Sequence, residues 1–178
     1  MGFEDVADRI LYEDNHIVIV NKLPGEIVQG DKTGDRTLCD DVKAYLKEKY
    51  NKPGNVFLGL PHRLDRPTSG IVVFARTDKA LGRLNRMFQE GSMNKVYWAV
   101  VDHGLGAMEG ELRHFLYRDG AKNKSFAYKP DSVTGGVPAV RGVPSSSLQE
   151  ARLRYREIAW SDRYTLLEIQ LLTGRHHQ

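Results

Sequence analysis

The sequence predicts an α+β domain built on a mixed, largely antiparallel sheet with flanking helices. Three observations predict it. Seven short segments carry the β-branched or alternating pattern of strands, and only two stretches carry an apolar stripe at helical spacing. The two kinds do not alternate regularly, as parallel strands joined by crossover helices would require. With 178 residues, 40% of them hydrophobic and 28% charged, the chain has the size and composition of a single globular domain. No internal repeat and no second domain is apparent, so residues 1–178 are expected to form one unit.

The first segment, "ILYEDNHIVIVNKLPG", holds a short strand, a polar turn at Glu13-Asp14-Asn15, and a β-branched strand over 17–21. Lys22-Leu23-Pro24-Gly25 reads as the turn that ends it. Residues 37–50 place Leu38, Val42, Tyr45 and Leu46 on one stripe, with acids early and lysines late, as a helix dipole favours. Asn51 and Pro53-Gly54 stop this helix. "GIVVFAR", at 70–76, is apolar enough for a strand buried on both faces. Residues 77–91 follow as a helix, capped by Thr77 or Asp78, with Leu81, Leu84, Met87 and Phe88 turned inward and Lys79, Arg83 and Arg86 outward. Gly91 closes it. Further strands are expected at 95–102 and near 112–117, 151–158 and 165–172. Residues 129–149, rich in Gly, Pro and Ser, form one long irregular loop, a length usually kept for function.

Composition narrows the setting. Cys39 is the only cysteine, so no internal disulfide and no cysteine-rich zinc site can form, and a reducing cytoplasmic location is expected. No apolar run approaches the roughly 20 residues of a membrane helix, and the first residues lack a signal-peptide core. A net charge of +3 does not by itself demand a polyanionic partner. Its distribution is more informative. Between residues 62 and 99 seven cations (Arg63, Arg66, Arg76, Lys79, Arg83, Arg86, Lys95) face three acids (Asp65, Asp78, Glu90), a local excess of four that suits an anionic substrate or a solvated helix face.

That region opens with "HRLDRPTSG", residues 62–70, which sets Asp65 between two arginines and runs into a tight turn. Guanidinium groups turned towards the acid would keep it ionised, fit to act as a nucleophile or an oriented base. Arg63 and Asp65, two apart, project to the same side of an extended segment, and Arg66 to the other. Pro67, Thr68, Ser69 and Gly70 would hold the acid rigidly. The bland reading is a surface salt bridge, worth roughly 0–1 kcal/mol. At the other end, "LLTGRHHQ" repeats the device of an apolar strand, a small-residue turn and a cation, Arg175. Adjacent histidines on an extended chain face opposite ways, so His176 and His177 make poor co-ligands and no metal is expected.

"HRLDRPTSGIVVFAR" resembles the HRLDxxTSGLLLFAK motif of the RluA family of RNA pseudouridine synthases. "ILYEDNHIVIVNKLPG", "NKVYWAVV" and "LLTGRHHQ" are similar, in order, to that family's N-terminal strand motif, its KxYxAxV motif and its LxTGRxHQIR motif. The resemblance runs from about residue 10 to residue 178, apart from the long loop. It implies the pseudouridine synthase catalytic fold. It implies Asp65 as the catalytic aspartate, with Arg63 helping to displace the target base. Tyr97 would pack on the uracil and handle protons, and Arg175 would pair with the aspartate. His62, Arg66, Thr68, Arg83, Arg86 and Lys95 are the expected RNA contacts.

The implied reaction breaks the bond between ribose and the uracil nitrogen and rejoins the base through carbon-5, so no cofactor is expected. The implied partner is ribosomal or transfer RNA, bound by a monomer, with no membrane and no metal. The family pattern runs on past Gln178, so the catalytic domain is expected to be incomplete at the C-terminus, and no additional RNA-binding domain is expected in front. Two other readings compete. A catalytically inactive RNA-binding module would keep the fold without turnover. A glycosidic-bond hydrolase would need a second carboxylate beside Asp65, and the motif has none.

Overall fold

Ile10–Glu13 (β1), Ile17–Lys22 (β2) and Gly70–Ala75 (β3) pair antiparallel in the order β1-β2-β3. They belong to the first of two compact units into which the computed structural model divides the chain, after Ser92. The structure describes residues 5–30 and 34–178. On β2 the inward positions are Val18, Val20 and Lys22, all fully buried, and across from them on β3 stand Phe74, Val72 and Gly70. Leu38–Lys49 (α1) adds Leu38, Val42 and Leu46 to the same core. Each such side chain contributes roughly 1.5–3 kcal/mol through burial. Thr37 and Asp40 start the helix with a capping box: each side chain accepts the other residue's backbone N–H at 3.1 Å.

Two expectations are corrected here. β3 is fully buried at Val72 and Phe74 but not on its other face, where Ile71 is exposed and Val73 half-buried, as in an antiparallel sheet whose core packs on one side. Asp78–Gln89 (α2), capped by Thr77, buries Ala80 and half-buries Leu81, Leu84 and Phe88, whereas Met87 is exposed. Met87 sits at the border of the stripe, where a one-position rotation of the helix decides its side. The free edge of β3 is covered by the segment before the HRLD motif. Gly59 and Ala75 exchange backbone hydrogen bonds of 2.8 and 2.9 Å, and His62 Nε2 accepts from the Val73 N–H at 2.9 Å. At Gly59 a Cβ would come within 2.8 Å of the Leu81 side chain, which would have to shift to admit it. Gly82 is different. It costs α2 about 1 kcal/mol relative to alanine, and a Cβ there would meet open space.

The second unit is a five-stranded antiparallel sheet. Its strands are Val96–Asp102 (β4), Glu109–Asp119 (β5), Lys124–Tyr128 (β6), Leu148–Trp160 (β7) and Tyr164–Leu171 (β8), in the order β4-β8-β7-β5-β6. Phe115, Leu148, Ala151, Tyr155 and Leu167 are its buried apolar residues. The long loop is shorter than expected at its C-terminal end. Leu148 and Gln149 open β7, opposite Tyr117 and Leu116. The remainder contains its own turns: the Asp131 carboxylate accepts from the amides of Val133 and Thr134, and the Arg113 guanidinium donates to the Gly135 carbonyl at 2.7 Å. Strand β6 was not expected, since five residues with one lysine and one serine give too little alternation to register. Every strand pair is antiparallel, so the α+β class holds. Among the described residues no helix is long and apolar enough to cross a membrane.

One ionic cluster ties the first unit together. The Glu13 carboxylate, 7% exposed, accepts from Lys49 at 3.0 Å and Tyr45 at 2.9 Å on α1, from Tyr50 at its end, and from Arg76 at 3.0 Å after β3. Burial alone would raise its pKa, but the bonds from Tyr50, Lys49 and Tyr45 outweigh it and hold the carboxyl below its ordinary value of 4.5. A carboxylate whose folded pKa is depressed stabilises the fold above the unfolded value and loses that contribution as pH falls through the folded one. Denaturant midpoints should therefore fall as pH drops below about 4.5, and Glu13→Gln should flatten that fall while lowering stability at pH 7. Parallel midpoint-against-pH curves for the two proteins would refute the assignment.

Candidate active site

Lys22 organises the Asp65 turn. It shares the inward parity of Val18 and Val20, so the strand directs it into the core, and opposite Gly70 there is no side chain to oppose it. Its Nζ donates to the carbonyls of Thr68 at 2.6 Å, Arg66 at 3.1 Å and Leu23 at 3.1 Å. Burial pushes the ammonium below its usual pKa, against the pull of the Glu26 and Asp65 carboxylates. The turn after β2 docks on the same loop. Gly25 N–H donates to the Arg66 carbonyl at 2.7 Å, and Arg66 Nε donates back to the Gly25 carbonyl at 3.0 Å. Glu26 braces that turn by accepting the Leu23 N–H at 2.7 Å, and it is itself clamped by the buried Arg9 guanidinium at 2.8 and 3.0 Å.

On this base Leu64 is buried and Arg63 and Asp65 are both exposed, the alternation expected of an extended approach. The Asp65 carbonyl accepts the Thr68 N–H at 3.0 Å and closes the turn. Arg66 turns to Gly25 and to the Asp35 carboxylate, 2.9 Å away. The acid's charge acts on Lys22, a cation 43 positions upstream in sequence that the reading of the motif did not include. Its signal was available: a lysine in step with two buried valines, at a strand end before Pro-Gly. Thr68 is half-buried and lends its carbonyl to Lys22. His62 accepts from β3 and stacks on Phe88 of α2, ring centroids 4.8 Å apart. Arg83 and Arg86 stand on the exposed side of α2.

In the second unit, period-two alternation puts Tyr97 and Ala99 on the half-buried face of β4, in step with half-buried Lys95 just before it, and leaves Val96, Trp98 and Val100 exposed. Tyr97 pairs with Ile169 of β8. The chain leaves β8 through a turn held by the Gln178 amide. Its Oε1 accepts from the Thr173 hydroxyl at 2.8 Å and the Arg175 N–H at 3.1 Å, while its Nε2 donates to the Arg152 carbonyl at 3.0 Å. Arg175 Nε donates to the Glu150 carbonyl of β7 at 2.8 Å. Lys95 Nζ lies against this turn, 3.4 Å from where a Cβ on Gly174 would sit, so the turn brings Lys95 beside the segment carrying Arg175. Gln178 was not singled out from sequence; its role depends on a turn that only the folded chain closes. His176 and His177 do not face opposite ways. They lie in a turn with rings stacked 3.8 Å apart. Among the described residues no three ligating side chains gather around a metal position.

Comparison with known proteins gives a consistent picture. The sequence profile described as RNA pseudouridylate synthase matches residues 16–178. The ribosomal large subunit pseudouridine synthase D of Zymomonas mobilis is 32% identical over 177 residues, covering 98% of this chain and 51% of that protein. The mitochondrial pseudouridylate synthase RPUSD4 of Xenopus tropicalis is 31% identical over 181 residues, covering 98% and 55%. Among solved structures, human RNA pseudouridylate synthase domain containing 4 superimposes with a TM-score of 0.79 at 25% identity, covering 97% of this chain and 62% of that one. The chain thus spans about half the length of the curated relatives it matches.

The three carbonyls around Lys22 make it hard to replace. Lys22→Met should lower stability by about 3 kcal/mol, as bonds to a charged group are lost and buried acceptors stranded. Lys22→Arg should not restore it, because the carbonyls converge on one nitrogen. Urea denaturation at pH 7 checks this, and a methionine variant as stable as the parent would refute it.

Proposed function

The chain belongs to the RNA pseudouridylate synthase family, within its RluA-type branch, and on that premise we propose that it isomerises uridine to pseudouridine in ribosomal or transfer RNA, with Asp65 as the catalytic carboxylate. The observation that carries the reading is the position of Asp65: exposed, on a turn whose backbone is locked from beneath by a buried ammonium. A reacting carboxylate needs this combination of access and rigidity.

The reaction balances without an oxidant or a transferred group. The N1–C1′ bond breaks, the uracil turns, and a C5–C1′ bond forms. The C5 proton departs and N1 takes one up. Asp65 supplies the negative charge the ribose or its proton requires. Tyr97 provides an aromatic face for the detached base. Arg175, with Nε held by Glu150, offers its terminal nitrogens to a carboxylate or phosphate. Arg63 helps to displace the target base, and Lys95 contacts the RNA. Extracting that uridine from its stack costs a few kcal/mol, which protein contacts replace.

Tritium release from RNA labelled at uridine C5 tests the proposal, using the chain beside its Asp65→Asn variant. The variant should bind RNA and lose roughly 10²–10⁴-fold or more of the release rate. Equal release from both proteins would show that Asp65 is not the catalytic group.

A further inference from the structure

Lys79, Gly82, Arg83 and Arg86 follow one another at the i, i+3, i+4 and i+7 positions of α2, which places them on one face. All four are exposed. Among the described residues none of the three cations enters an ion pair, whereas Arg9, Arg36, Lys49, Arg66 and Arg76 of the same unit each do. The opposite side of the helix is seated on the segment that leads into Asp65, through Leu81 on Gly59 and Phe88 on His62. Nothing in the fold calls for glycine at 82. A Cβ would meet open space and alanine would serve the helix better. What glycine does provide there is bare backbone in the middle of a cationic face.

We propose that this outward face of α2 docks the sugar–phosphate backbone of the RNA, with Gly82 as the point where the strand comes closest to the helix. The proposal rests on the reading of the chain as an RNA-modifying enzyme and deepens it. Charge selects the occupant: a polyanion matches three unpaired cations spread over about 10 Å of helix. A strand held there lies about one helix diameter, some 10–12 Å, from the segment that carries Asp65. Arginine and lysine on phosphates give affinity and register without reading bases, so the face would act on any substrate sequence.

The test is binding of a fluorescein-labelled, uridine-containing RNA hairpin, titrated from roughly 50 to 200 mM KCl. Lys79→Gln, Arg83→Gln and Arg86→Gln should each reduce the slope of log affinity against log salt by about 0.7–0.9, the share of one phosphate contact. Gly82→Gln should weaken binding several-fold while raising the thermal midpoint, a split that a merely structural glycine would not produce. Arg156→Gln, in the second unit and paired with Glu168 at 2.8 Å, should leave the slope unchanged. Unchanged slopes in the three α2 variants overturn the docking face, and parental affinity in Gly82→Gln overturns the close approach. Tritium release separates the two readings. Turnover with unaltered slopes leaves the enzyme standing without this face, and altered slopes without turnover leave the face standing on a protein that only binds.

Discussion

A lysine ammonium enclosed by three backbone carbonyls is the interaction on which the rest of the first unit's chemistry depends. Burying a charge is expensive unless hydrogen bonds and counter-charge compensate it. Here the carbonyls of Leu23, Arg66 and Thr68 supply the bonds, and Glu26 and Asp65 supply the charge. The compensation runs both ways. The loop that satisfies Lys22 is fixed by doing so, because each carbonyl can point inward only if the turn takes one shape. The backbone on either side of the Asp65 turn is thereby fixed through the carbonyls of Arg66 and Thr68.

The same economy appears in the charges around it. Arg66 looks from sequence like a partner of Asp65, but its guanidinium bridges Gly25 and Asp35 and so fastens one loop to another. Arg9 and Glu26, both buried, extend this support to the 3-10 turn at Val6–Arg9. Removing either member of such a pair strands the other in a medium that solvates it poorly. Arg9, Lys22 and Arg66 thus build the loop, whereas the exposed cations of α2 enter no ion pair among the described residues.

Much of this was legible in the sequence. Strands such as 17–21 and 95–102 were found because they are short runs rich in β-branched and aromatic residues that end at turn residues. Helix α1 was found with its buried stripe, since Leu38, Val42 and Leu46 recur at helical spacing. Asp65 and Arg175 stood out as charges set beside small-residue turns, whereas Tyr97 was singled out only through motif resemblance and would otherwise have been read as a core aromatic. What escaped were residues whose role exists only after distant segments meet: Lys22 against a loop over forty positions away, and Gln178 across a turn. β6 escaped because an edge strand borrows its order from its neighbour β5, and its own residues need carry little pattern.

The hydrogen bond from Val73 to His62 has a consequence for solubility. β3 ends its sheet, and an unpaired strand edge is a template on which another chain can add itself. The imidazole occupies the outward-pointing amide of Val73 and Gly59 pairs with Ala75, so the edge is closed at these two positions. Nε2 must offer a lone pair to do this. A side chain at 62 that cannot accept would leave the Val73 amide unpaired at that edge.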